Sequence, residues 1–147
     1  MKKLNKDIIL HKLPSNKVNL KIYHEIDSTN DEAKRIELVT DFHVIIAEKQ
    51  TKGRGRLGKK WSSPHSGNIY MTICTENDLS KLPISLITGL ICKKAINRIS
   101  NKLIITLKWP NDILLNNKKI GGILVESEVH NKKIRTIIGI GINIKIK

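Results

Sequence analysis

Aromatic side chains are scarce in this chain of 147 residues: two Trp, two Tyr and one Phe make up 3% of it. A platform for stacking single-stranded nucleic acid bases therefore has little to be built from. Cysteine is equally thin. Cys74 and Cys92 are the only two, too far apart for a zinc knuckle or a disulfide framework, and both sit in apolar runs that predict core thiols. Long hydrophobic runs are absent. The most apolar later stretch, residues 83–92, falls well short of the roughly 20 residues that span a bilayer. At the start only Ile8, Ile9 and Leu10 run together before His11 interrupts, which predicts neither signal peptide nor membrane association. Arginine is rare as well: five of the 27 basic residues, against 22 lysines and 13 acids, for a net charge of +14. Arginine's planar fork suits phosphate better than lysine does, so this surplus reads mainly as solvated surface. A cytoplasmic protein with reduced thiols and a single domain spanning residues 1–147 is expected.

What is present is a clear alternation of element types. Leu20, Ile22, His24 and Ile26 predict a strand, and Ser28-Thr29-Asn30-Asp31-Glu32 offers overlapping capping patterns for a helix running to about residue 38. Residues 43–48 and 68–75 predict strands. Between residues 83 and 100, Ile84, Ile87, Leu90, Ile91, Ala95 and Ile99 recur at helical spacing and predict the main core helix. Short strands at 104–108, 113–115 and 120–126 follow. Asn116-Asn117 and Asn131-Lys132 suit tight hairpins, and residues 134–144 are strongly β-branched. The class is α+β, with a mixed or antiparallel sheet flanked by helices. Residues 1–17 are too few for a helix-turn-helix, so no sequence-specific DNA binding is expected.

The stretch from Gly53 to Lys60, GRGRLGKK, carries the chemistry. It matches G-x-G-x-x-G and G-x-x-x-x-G-K, but both fingerprints need a helix to open behind the loop, and Trp61-Ser62-Ser63-Pro64 follows instead. Lys60 also stands where a P-loop needs Ser or Thr. The stretch does offer three glycines that let backbone approach a ligand and two guanidinium groups, Arg54 and Arg56, that could clamp an anion.

Five segments in order resemble biotin protein ligases: Ser28-Thr29-Asn30; residues 47–61, AEKQTKGRGRLGKKW; Lys108-Trp109-Pro110-Asn111-Asp112; residues 119–126, KIGGILVE; and Gly139-Ile140-Gly141-Ile142-Asn143. The resemblance covers roughly residues 23–144. It implies a catalytic domain of the class II aminoacyl-tRNA synthetase and biotin ligase type. The implied reaction joins biotin and ATP into biotinyl-5′-adenylate, then passes biotin to a lysine of the biotin carboxyl carrier protein of acetyl-CoA carboxylase or a related carboxylase. It further implies biotin contacts from Ser28, Thr29, Asn30, Gln50, Arg54, Gly55, Arg56, Lys119 and Gly122, and nucleotide contacts from Arg54, Arg56, Trp61, Lys119 and Asn143. Arg56, Lys119 and Asp112 would be catalytic, with Asp112 also a candidate Mg2+ ligand. Ser28 and Thr29 equally suit helix capping, Lys119 an exposed hairpin, Asn111-Asp112 an Asx turn and Asn143 a strand end.

The family's catalytic domain continues beyond the asparagine matched by Asn143, with a loop over the adenine and an SH3-like domain, and some members carry an N-terminal DNA-binding domain. Neither extra domain is expected in this chain. That leaves two other readings, a non-catalytic remnant that binds biotin or its adenylate, and a relative of lipoate ligase. A homodimer stays open.

Overall fold

A computed structural model describes residues 4–64 and 67–144. Its elements are α1 (Lys6–Leu10), β1 (Val18–Ile26), α2 (Thr29–Arg35), β2 (Phe42–Gln50), β3 (Ile69–Thr75), α3 (Ile84–Ile99), β4 (Ile105–Lys108), β5 (Asp112–Leu115), β6 (Lys118–His130) and β7 (Lys133–Ile142). The strands form one seven-stranded sheet in the order β1-β2-β3-β7-β6-β5-β4. Only β1 and β2 run parallel, and every other neighbouring pair is antiparallel. The α+β class and the mixed sheet are as expected. No helix among the described residues is long and apolar enough to cross a membrane.

The pleat sorts the side chains onto two faces. Along β7, Ile138, Ile140 and Ile142 join Ile105, Ile113, Ile120, Ile123 and Cys92 in a cluster under α3. The alternate position Ile137 packs with Ile45, Cys74, Ala33 and Ile36 under α2, as a period of two demands. Both thiols are buried, and burial pushes Cys74 up to about 11.

The paired turns form as expected: Asn116 and Asn117 take φ of 49° and 62°, Asn131 and Lys132 take 48° and 63°. These positive angles match the twist of two-residue hairpins. Other boundaries differ. The helix expected to reach residue 38 ends at Arg35, because Ile36 turns to extended backbone and enters the core. The lysine-rich start forms a five-residue helix, α1, capped by Asn5, whose side chain accepts from the Ile8 amide.

The core helix is a correction. Of α3 it is Thr88, Gly89 and Cys92 that are buried, while Leu90, Ile91 and Ile99 are 53%, 61% and 87% exposed. Small side chains let the helix lie close on the sheet, where a Cβ on Gly89 would meet Leu107 and Ile123 at 3.4–3.5 Å. Periodicity located the helix and misjudged which stripe faces inward.

Two devices hold α2, whose first turn borders the functional cleft. Near its start, Arg35 donates both Nη atoms to Asp27 at 2.7–2.8 Å, which holds the Asp27 carboxyl well below the usual carboxylate range, with burial opposing. At its end, the fully buried Arg135 of β7 donates Nη1 to the carbonyls of Ala33, Lys34 and Ile36 at 3.0–3.4 Å. Those carbonyls lack helical partners, so a buried guanidinium is a fitting cap.

His43, 2% exposed, accepts from the Val39 amide through Nε2 at 2.9 Å. Burial, and then the charges of Lys21 and Arg135, push its pKa below the ordinary 6.5. The unfolded chain therefore takes up a proton before the folded one, and stability is lost as pH falls below about 6.5 toward the folded value. The urea midpoint should fall between pH 7 and about 5, with a shallower slope in a His43→Asn variant; equal slopes would show that another group sets this limb.

Candidate active site

A cleft of about 260 Å3 opens on the α2 side of the sheet, lined by residues from all five singled-out segments. Its floor is cut from glycine. Gly122, Gly139 and Gly141 fall on the face of β6 and β7 opposite α3, paired as Gly122↔Gly141 and Leu124↔Gly139. A Cβ at Gly141 would lie 2.6 Å from the Trp61 ring, and one at Gly139 would collide with the Asn30 amide. Side chains would fill the space that Trp61 and Asn30 occupy, so these strand glycines mark close approach rather than weakness. Gly121 faces the other way, toward Ile113.

The inner wall is a chain of polar groups. Ser28 caps α2, its Oγ accepting from the Asp31 amide at 3.3 Å. Thr29 donates both its amide and its hydroxyl to Gln50 Oε1, at 2.8 and 3.1 Å. Gln50 Nε2 donates to Ser63 Oγ at 2.9 Å. Thr72 Oγ1 donates to Asn30 Oδ1 at 2.6 Å and lies 2.8 Å from Thr29 Oγ1. Asn30 Nδ2 donates to Glu126 Oε2 at 2.8 Å. Ser28, Thr29, Asn30, Ser63 and Thr72 are all buried, and each hydrogen bond repays part of the desolvation.

The glycine-rich stretch forms a hairpin rather than the start of a helix. Gly55 N donates to Lys59 O at 2.7 Å and Trp61 N to Gly53 O at 2.9 Å, around a short 3-10 turn at Arg56–Gly58. Neither nucleotide fingerprint therefore finds the helix it needs. The two arginines part company here. Arg54 donates Nη1 to Glu126 Oε1 at 2.9 Å, and Nη2 to Glu126 Oε2 and Asp31 Oδ1 at 2.7 Å each. These bonds raise its pKa and, against burial, hold Glu126 below its ordinary value. Among the described residues Arg56 makes one long side-chain contact, Nη1 to Asn111 Oδ1 at 3.4 Å, which leaves most of its donors for a ligand.

Across the cleft Lys119 Nζ lies 2.8 Å from Asp112 Oδ1 and 5.7 Å from the centre of the Trp61 ring. Its direction depends on a bulge: the β5/β6 register slips between Ile113 and Leu114. Ile120 and Gly121 both face the α3 side, and Lys119 comes round to the cleft while Lys118 stays outside it. The Trp109-Pro110 peptide is cis, and Asn111 beyond it is tied to β6 by Nδ2 donating to Ile123 O at 2.9 Å. Trp61 lies over Gly122 and Gly141, and its Nε1 finds no partner among the described residues. Of the residues expected in the site only Asn143 is not among those lining the cleft; its amide donates to Ile120 O at 2.7 Å. Among the described residues no three His, Cys, Asp or Glu side chains cluster to hold a metal. Sequence reasoning gave no role in the site to Thr72, Glu126 or Asp31: Glu126 ends the fourth segment and Asp31 sits in the capping pattern, but the partners that give them a role come together only in the fold.

A polar, glycine-floored cleft with a loosely held Arg56 and an ion-paired Lys119 at its rim suits an anionic ligand with a polar head. Residues 23–143 match the profile of the biotin/lipoate A/B protein ligase family, and the chain belongs to that family. It is 34% identical over 131 residues to the bifunctional ligase/repressor BirA of Bacillus subtilis, which covers 84% of this chain and 40% of that protein. It is 32% identical to the biotin--[acetyl-CoA-carboxylase] ligase of Paracoccus denitrificans, over 80% of this chain and 51% of that protein. The chain thus spans about half or less of these relatives. Among solved structures, the biotin protein ligase of Aquifex aeolicus in complex with biotin and ATP superposes with a TM-score of 0.72 at 36% identity, covering 88% of this chain and 53% of that one. The Leishmania major enzyme with biotinyl-5-AMP gives 0.71 at 35%, covering 87% and 58%.

Because a Cβ at Gly141 enters the indole, Gly141→Ala should drive Trp61 off the sheet. Tryptophan emission should shift to the red while far-UV circular dichroism holds; an unchanged spectrum would show that the ring has room to relax.

Proposed function

We propose that the chain is the catalytic part of an ATP-dependent biotin protein ligase, with all of residues 4–144 serving one catalytic domain. The observation that carries this reading is the meeting of the polar wall, Arg56, Lys119 and Asp112 in one cleft. The ureido ring of biotin offers donors and an acceptor to Ser28, Thr29, Asn30 and Gln50, and its carboxylate points toward the rim. A carboxylate oxygen attacks the α-phosphorus of ATP, the bond to the bridging oxygen breaks, and pyrophosphate leaves. Two anions must approach each other for this, and Arg56 and Lys119 lower their repulsion and hold the charge that builds on the phosphorus. Gly55 and Gly122 line the cleft, Gly122 beneath the Trp61 ring, and Trp61 supplies a flat apolar surface. Asn143 lies at the end of β7, on the nucleotide side of this reading.

In the second step a lysine amine of the acceptor attacks the acyl carbon, AMP departs, and Asp112 takes the amine's proton. The partner is a biotin carboxyl carrier protein of acetyl-CoA carboxylase or a related carboxylase, met in the cytoplasm. Magnesium commonly binds through one or two carboxylates plus substrate phosphates. Asp112, which lines the cleft and pairs with Lys119, would be the carboxylate that holds it, and the ion would neutralise phosphate charge. Specific DNA binding forms no part of the reading. Against a lipoate ligase stands the likeness to biotin ligases, those of Paracoccus denitrificans, Aquifex aeolicus and Leishmania major among them.

Biotin should raise the melting temperature and ATP should raise it further, since ligands that bind only the native state stabilise it. A curve unmoved by both at millimolar concentration would sink the assignment. Arg56→Ala should slow pyrophosphate release by at least about tenfold, the cost of one charge-assisted hydrogen bond, with the melting temperature unchanged. Arg54→Ala should chiefly lower stability. Lys119→Ala should slow the first step while Lys118→Ala leaves it alone; equal effects would refute the bulged register.

A further inference from the structure

Glu126 appears in no functional role so far, yet more of the site converges on it than on any other side chain described above. Its Oε1 accepts from Arg54 Nη1 at 2.9 Å and Lys34 Nζ at 3.1 Å, and its Oε2 from Arg54 Nη2 at 2.7 Å and Asn30 Nδ2 at 2.8 Å. Four hydrogen bonds satisfy a carboxylate that is 20% exposed. They join three segments far apart in sequence: α2 through Asn30 and Lys34, the glycine-rich hairpin through Arg54, and β6 itself. With Asp31, which also accepts from Arg54 Nη2, the cluster holds two carboxylates and two cations and so balances its own charge.

That balance has a consequence for the neighbouring cleft. Arg54 and Arg56 are two residues apart on one hairpin, and both would be drawn to an anion. Glu126 engages Arg54 in the bidentate geometry that carboxylate and guanidinium prefer, and Asp31 accepts from the same guanidinium, so Arg54 cannot turn to the ligand without leaving Asp31 without its cation and Glu126 with Lys34 and Asn30 alone. Asn30 is fixed in the same stroke. Its Nδ2 is directed at Glu126, its Oδ1 receives the Thr72 hydroxyl at 2.6 Å, and Gly139 leaves only the width of the amide beneath it.

We propose that Glu126 is a positioning residue of the cleft, which locks the Asn30 amide in one orientation and withholds Arg54 from the ligand, leaving Arg56 as the anion-binding arginine of the pair. The inference rests on the reading of the cleft as a biotin site. A glutamine at position 126 keeps the shape but turns an NH2 toward donors on Asn30 or Arg54, so one bond becomes a repulsion and the guanidinium is freed.

The test is isothermal calorimetry of the 147-residue chain with biotin, run on the parent, Glu126→Gln and Glu126→Asp, with melting curves for each. The expected result is a biotin Kd weakened at least about tenfold in Glu126→Gln, with stoichiometry near that of the parent, and a Kd between the two for Glu126→Asp, which keeps the carboxylate on a shorter stem. A purely structural residue would instead lower the melting temperature and the stoichiometry and leave the Kd of the folded fraction where it was, and that outcome overturns the proposal. So do parent-like Kd values in both variants. If Glu126→Gln does not fold, Glu126→Asp decides alone, by a Kd that is weakened or not. A parent chain that binds no biotin removes the reading of the cleft itself, an outcome distinct from the failure of Glu126.

Discussion

The pleat of β7 is the constraint on which the other parts of this structure rest. Ile138, Ile140 and Ile142 face α3 and close the larger core, and the positions between them face α2 and the cleft. Because the strand lies between β3 and β6, its side chains cannot be moved to the other face without breaking two ladders. The stretch 137–142, IIGIGI, therefore does two things at once. Its isoleucines supply apolar burial, and its glycines leave room on the opposite face. Burial of the large aliphatics stabilises the sheet by roughly 1.5–3 kcal/mol apiece, which makes up for glycines that alone would weaken a strand.

On that floor the site is assembled by hydrogen bonds rather than apolar packing. A line of partners runs from Ser63 through Gln50, Thr29, Thr72 and Asn30 to Glu126 and Arg54. Such a network is costly when partly satisfied and rigid when complete. Arg135 and the Asp27–Arg35 pair extend it to both ends of α2, so the seven-residue helix, too short to be stable by itself, is held in place by the sheet. The cations at the rim are far less constrained: Arg56 has one long contact and Lys119 one ion pair. A firm pocket with loosely held charges suits a reaction in which one end of a ligand stays bound while charge shifts at the other.

Where the linear reading failed, the cause was competition between neighbours that a periodicity cannot register. Helical spacing in residues 84–99 marked one apolar stripe, and the sheet took another face. That face carries Thr88, Gly89 and Cys92, whose small side chains allow closer packing, and Leu90, Ile91 and Ile99 were left outside. Lys119 does reach the cleft, as the resemblance implied, but through the extra residue of the β6 bulge, which offsets strict alternation from Gly122. Arg54 and Arg56 look equivalent in the hairpin, and two carboxylates distant in sequence, Asp31 upstream and Glu126 downstream, distinguish them by engaging Arg54.

Local chemistry determined much. The order of elements, the two asparagine-led turns, the burial of both cysteines and the rejection of the two nucleotide fingerprints follow from side chains and their near neighbours, because capping, turn angles and strand period act over a few residues. The five segments that line the cleft were visible through their resemblance to biotin protein ligases. Tertiary structure decided what each residue does inside the cleft: which arginine is free, which glycine is floor and which is packing, and which lysine faces in. Those outcomes turn on pairings between residues tens of positions apart, on a bulge and on the balance of buried charge, and a sequence states none of these until the sheet has closed.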